Sequence, residues 1–150
     1  MGVIAVSHIA VGVRDMERAL RFYRDVIGLE ITSDRLQKFT SFTTGRPVER
    51  RGVFLRWRNG PHQSFLVLDQ LLPEAAPGKA LGLFDLGAHH FSFWVDDVDA
   101  VVEKAQAAGF PVVFPHVADT EDYGEPRGGR VKSAFLQDAD GSFVQVDQRL

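Results

Sequence analysis

The sequence predicts an α+β fold: two βαβββ repeats forming a curved mixed sheet around a cavity. Three observations lead there. A strand opened by His and followed by an Asp-capped helix occurs twice at a fixed offset. Each helix is trailed by three strand-like runs. A stretch carrying Pro73, Pro77, Gly78 and Gly82 separates the copies.

The first copy begins Ser7-His8-Ile9-Ala10-Val11-Gly12-Val13 and the second His89-His90-Phe91-Ser92-Phe93-Trp94-Val95. Anchoring Val13 on Val95 sets an offset of 82 (95 − 13), which pairs His8 with His90 (90 − 8). His89 then falls on the opposite strand face. Asp15 caps a helix with apolar positions Met16, Ala19, Leu20, Tyr23, Val26 and Ile27, ended by Gly28. Asp97 caps one with Val98, Val101, Val102, Ala105 and Ala108, ended by Gly109. The spacing is helical, and Asp before the first turn with Gly past the last is the expected punctuation. The second helix is one residue shorter (28 − 15 = 13; 109 − 97 = 12). The following strands are expected at Leu29 to Ser33, Gly52 to Arg58 and His62 to Leu68, then at Pro111 to Phe114, Val131 to Gln137 and Phe143 to Asp147. Asn59-Gly60 and Asp140-Gly141 are hairpin turn signals before the last strand of each copy. Half-sheets of this size need each other to bury their faces. The chain therefore reads as one domain over 1–150, with repeat one at 1–70, a linker at 71–87 and repeat two at 88–150.

Strand alternation sorts the residues by face. Ile9, Val11 and Val13 should pack on the helix, with His8, Ala10 and Gly12 opposite. Phe91, Phe93 and Val95 should do the same, with His90, Ser92 and Trp94 opposite. In the closing strand Val144 and Val146 face the helix, and Phe143, Gln145 and Asp147 face away. In the fourth strand the reading puts Phe65 and Val67 toward the helix and His62, Ser64, Leu66 and Leu68 away from it. The second face thus gathers two His, a Gln and an Asp among small and apolar residues, a composition that fits a ligand site.

Bulk composition narrows the function. The 150 residues carry a formal charge of −3, with no basic stripe to neutralise phosphates, so nucleic acid is not an expected partner. No apolar run nears the roughly 20 residues of a membrane span, and no basic segment opens a signal peptide. Cysteine is absent, which removes disulfides and thiolate metal sites. The expectation from these features is a cytoplasmic soluble protein. Arg46, Arg50, Arg51, Arg56 and Arg58 read as a solvated strand edge, with steering of an anionic substrate as the alternative. The loop Asp119 to Gly129 reads as surface, with a lid as its functional reading.

The motifs His8-Ile9-Ala10-Val11 with Asp15 through Gly28-Leu29, Gly87-Ala88-His89-His90-Phe91 with Val95-Asp96-Asp97-Val98, and Asp138-Ala139-Asp140-Gly141 together resemble the vicinal oxygen chelate superfamily. That superfamily includes glyoxalase I, methylmalonyl-CoA epimerase, extradiol dioxygenases, and fosfomycin and bleomycin resistance proteins. The resemblance implies metal ligands at His8 and His90, with a third four residues after Gly141, where this chain has Gln145 (141 + 4) instead of a carboxylate. It implies a divalent metal, Fe²⁺ or Mn²⁺ first and Zn²⁺ or Ni²⁺ next, with a metal-free site as the alternative. The glyoxalase-type ligand of the fourth strand falls at Ser64 (60 + 4), a poor donor. The strand 61–68 is similar to the His-bearing strand of extradiol dioxygenases, which implies an acid/base role for His62. Ser64, Trp94, Phe143 and Asp147 complete the expected pocket. His116 and Tyr123 lie where that family has further functional residues, without a clear match. The leading expectation is a metal-dependent, extradiol dioxygenase-like enzyme acting on an aromatic or enediol-like small molecule, as a homodimer. The alternatives are a metal-free binding or drug-sequestering resistance protein and a glyoxalase-type lyase or isomerase.

Overall fold

The computed structural model describes residues 2–58, 60 and 63–150. The expected hairpin residue Asn59 and the expected acid/base His62 lie outside the described residues. The chain divides into two compact units, Met1–Gly78 and Lys79–Leu150.

In the first unit, β1 (His8–Gly12) leads into α1 (Met16–Leu20), then β2 (Glu30–Thr40), β3 (Pro47–Arg56) and β4 (Phe65–Leu72). In the second, β5 (His90–Trp94) leads into α2 (Val98–Ala107), then β6 (Val112–Asp119), β7 (Arg130–Gln137) and β8 (Phe143–Arg149). The sheets run β1-β4-β3-β2 and β5-β8-β7-β6. Only the first strand of each pairs in parallel, with β4 or β8, as a βαβββ unit requires.

Local chemistry forms these elements. The Asp15 carboxylate accepts from the Arg18 amide and Asp97 from the Ala100 amide, each at 3.1 Å, so both predicted caps are in place. The extra residue of the first helix is absorbed at its end, where Arg21–Val26 widens into a π-helical segment and the Ile27 amide donates back to the Phe22 carbonyl. That insertion lets Phe22, Tyr23 and Val26 all stay buried before Gly28 turns the chain at a positive φ of 89°. In the second unit Val98, Val101 and Ala105 of α2 are buried, as are Ala134, Leu136, Val144 and Val146 of the sheet. In the closing turn, Asp138 Oδ1 accepts from the Asp140 and Ser142 amides at 2.9 and 2.8 Å.

Several expectations are corrected. The second strand of each unit is longer than read: β2 reaches Thr40 and β6 reaches Asp119, and β3 begins at Pro47. Polar residues such as Asp34, Gln37 and Lys38 hide the strand pattern of β2, because its residues are mostly exposed. Arg50, Arg51 and Arg56 are consequently not on a sheet edge, since β3 lies between β2 and β4. Arg51 is held by Asp34 and Glu17 at 2.7 and 2.6 Å, and Arg50 by Asp69 at 2.7 Å.

The fourth strand is also turned over relative to its reading. Leu66 and Leu68 are fully buried with Val53 and Leu55, whereas Phe65 pairs in register with His8 and stacks on its ring at 5.0 Å. Phe65, Val67 and Asp69 therefore share the His8 face, and alternation puts Ser64 with the leucines. Both faces of this strand are apolar, so hydrophobic alternation alone could not choose between them.

Candidate ligand-binding faces

The corrected register aligns the units. His8 pairs with Phe65, Ala10 with Val67 and Gly12 with Asp69; His90 pairs with Phe143, Ser92 with Gln145 and Trp94 with Asp147. The closing strands are thus offset by 78 (143 − 65, 145 − 67, 147 − 69). The counterpart of Gln145 is Val67, and that of Asp147 is Asp69.

In the first unit this face is aromatic and cationic. Phe65 stacks on His8, meets Phe54 at 5.5 Å and lies 4.9 Å from the Arg56 guanidinium carbon. The His8 ring Nδ1 hydrogen-bonds with the Ser7 hydroxyl at 2.7 Å. Farther along, Arg50 donates to Gln37 and Asp69, and its guanidinium carbon lies 5.4 Å from the Phe39 ring centroid. Burial pushes the Asp69 carboxyl upward against the pull of Arg50. Its Oδ1 has no partner among the described residues. Ser64 donates to the Val6 carbonyl.

In the second unit the face centres on Asp147, which is 3% exposed. Its Oδ1 accepts from Tyr123 at 2.8 Å, Ser133 at 2.5 Å and the Gln145 side-chain amide at 2.8 Å, while Oδ2 accepts from Ser92. Gln145, 8% exposed, also donates to the Tyr123 oxygen at 3.0 Å. The amide must present nitrogen here, because an ionised carboxylate only accepts. Tyr123 arrives on a 3₁₀ turn, Thr120–Tyr123, inside the loop expected to be surface. Thr120 is buried there and donates to the Pro126 carbonyl at 2.6 Å. Burial foremost, and also Asp147, raise the Tyr123 phenol above its ordinary range. Trp94 is 54% exposed, between the Arg149 guanidinium at 4.6 Å and the Tyr123 ring at 6.1 Å. Phe143 meets Phe135 edge-to-face at 6.4 Å. His90 rests against Phe135 and contacts His89, Nδ1 to Nδ1, at 2.8 Å, so one of the two rings carries the proton between them. Burial, and next His89, lower the His90 pKa. His89, expected to interact away from this face, touches both His90 and Phe84.

Of the residues read from sequence, the second unit gathers Gln145 and Asp147 in one hydrogen-bonded cluster and places Trp94 beside it. Sequence reading put Ser92 on this face and Tyr123 in the right region without giving either a role; it missed Ser133, and Asp69 with Arg50 on the first unit. Asp69 was accessible through the repeat, had the 78-residue offset been applied to Asp147. Ser133 carried no signal beyond alternation in β7.

Comparison with known proteins agrees with this architecture. The sequence profile of the glyoxalase/bleomycin resistance protein/dioxygenase superfamily matches residues 5–146. The chain belongs to that superfamily. A probable lactoylglutathione lyase of Vibrio parahaemolyticus is 25% identical over 95% of this chain and 89% of its own length. A probable chloroplastic lactoylglutathione lyase of Arabidopsis thaliana is 29% identical over 95% of this chain, which spans 35% of that protein. Among solved structures, a glyoxalase family protein from Bacillus cereus superposes with a TM-score of 0.74 at 15% identity, covering 100% of this chain and 97% of that one. An antibiotic binding protein from Streptomyces superposes at 0.61 and 22% identity, covering 100% and 99%. At such identities the superfamily likeness of these structures is one of fold. Among the described residues, no helix is long and apolar enough to cross a membrane.

The metal that the superfamily implies can be tested against the donors present. A divalent ion that binds oxygen and imidazole needs negative charge in its ligand set. Val67 offers no donor atom, Gln145 brings no charge, and the Asp147 carboxylate already accepts from four protein donors. Among the described residues no group of three or more His, Asp or Glu side chains is arranged to hold a metal ion. The donor set does not fit the group.

Proposed function

We propose that this chain is a small-molecule binding protein of the superfamily, one that holds an aromatic ligand by ring contacts and hydrogen bonds without metal-centred turnover. The observation that carries this reading is the replacement, in both units, of the closing-strand ligand by an uncharged residue, Val67 in one and Gln145 in the other. Neither side chain can take a proton from a substrate, and general base catalysis needs a group that can. The ring-lined faces supply what binding alone requires: His8, Phe65 and Phe54 on one unit, Trp94, Phe135 and Phe143 on the other. Flat ligands gain area and favourable ring geometry on such surfaces. The cytoplasmic homodimer expected from sequence belongs to this reading.

A second reading, a glyoxalase-type lyase, is favoured by the names of the curated relatives, which are lactoylglutathione lyases and an epimerase. Those names give the extradiol dioxygenase-like reading no support. One experiment separates binding from lyase activity. Purified protein is assayed for lactoylglutathione formation with and without added Ni²⁺ or Zn²⁺, and its thermal stability is followed against bicyclic aromatic compounds. The binding reading expects a rise in Tm with an aromatic compound and no metal-dependent turnover; turnover abolished by His90→Ala would establish the lyase instead.

A further inference from the structure

Four polar side chains converge on Asp147, and the direction of their protons determines what a ligand would meet. Asp147, as a carboxylate, has only lone pairs to offer. Ser92 therefore points its hydroxyl proton inward to Oδ2, and Gln145 points its NH₂ inward to Oδ1 and to the Tyr123 oxygen. Ser133 and Tyr123 are held against the same Oδ1. Two acceptors are left without a protein donor. Ser92 is exposed, and with its proton committed its oxygen presents lone pairs. The Gln145 carbonyl oxygen has no partner among the described residues and is not sealed from solvent. Trp94, in register beside Asp147, supplies an exposed ring next to them.

We infer that this face of the second unit is a hydrogen-bond-accepting site, selective for aromatic ligands that carry a donor such as a phenol or an aryl amine. Asp147 is its positioning residue: it sets the polarity of the site without meeting the ligand. The inference rests on the binding reading above and deepens it. An apolar isostere lacking the donor would leave the Gln145 oxygen desolvated and unpaired, and that asymmetry is what makes buried polar groups discriminate. Asn at position 147 would remove the constraint, because its amide can donate to Gln145 and let that side chain turn its NH₂ outward.

The test compares two probes of nearly equal ring area, 2-naphthol and 2-methoxynaphthalene. Their binding to the full chain is titrated by Trp94 fluorescence in a Trp57→Phe background. The expected result is a preference for 2-naphthol of roughly tenfold. Gln145→Met should shrink that preference toward unity, with only the Ser92 acceptor left, and Asp147→Asn should shrink or invert it. The ratio of affinities is the readout, because a general loosening of the fold would weaken both probes together. Should Asp147→Asn fail to fold, Gln145→Met decides alone. Equal binding of the two probes to the parent protein would overturn the inference and leave the binding reading standing. Binding of neither would overturn both.

Discussion

At the scale of single residues, Gln145 shows how one atom's replacement redirects a site. Its nitrogen sits 2.8 Å from a buried carboxylate, a contact that a carboxylate at the same position would turn into repulsion. Gln145→Glu should therefore destabilise the fold by about 1–3 kcal/mol at neutral pH. Two carboxylates in one site raise an apparent pKa in the folded state. Stability tied to a raised folded pKa is present below the unfolded value and lost as pH rises through the folded one. The deficit should accordingly be largest near pH 8 and shrink toward pH 5, as urea denaturation at the two pH values would read. Tyr123→Phe tests the same cluster from its other side. It removes a donor to Asp147 and an acceptor for Gln145, and should cost about 1–2 kcal/mol. The Tyr123 phenol is raised by burial, so its contribution is complete below pH 10 and fades as pH climbs through the higher folded value. The gap between parent and variant should narrow in that alkaline window.

At the scale of elements, the caps and the helical faces were legible in the sequence because they depend on neighbours within a few residues. Asp15, Asp97, Gly28 and Gly109 act locally, and the structure has them where the spacing puts them. The π-helical widening at Arg21–Val26 was foreshadowed by the one-residue difference between helices, though the count alone does not locate it. The face of β4 was not legible. Phe65, Leu66, Val67 and Leu68 are all apolar, and only pairing with β1 and β3 shows which two share the His8 face. This correction has a mutational signature. Leu68→Ala should cost about 2–5 kcal/mol in equilibrium unfolding, as for a fully buried leucine. A loss below about 1 kcal/mol would return the strand to its opposite register. The cluster around Asp147 was half legible: alternation found Gln145 and Asp147, but Tyr123 reaches them from a turn 24 residues away in sequence.

At the scale of the whole molecule, duplication is the main source of both recognition and difference. Each unit repeats the same topology, and the His8 and His90 positions match across it. The closing strands have diverged: Val67 opposes Ala10 where Gln145 opposes Ser92, and Asp69 binds Arg50 where Asp147 gathers hydroxyls and an amide. Superfamily membership follows from what was kept, and the binding reading from what was changed. The most direct test of that reading is calorimetric titration of the chelator-treated chain with Fe²⁺, Mn²⁺, Zn²⁺ and Ni²⁺ near neutral pH. No stoichiometric binding is expected at micromolar concentrations. Binding of one ion per chain, lost in both His8→Ala and His90→Ala, would contradict it.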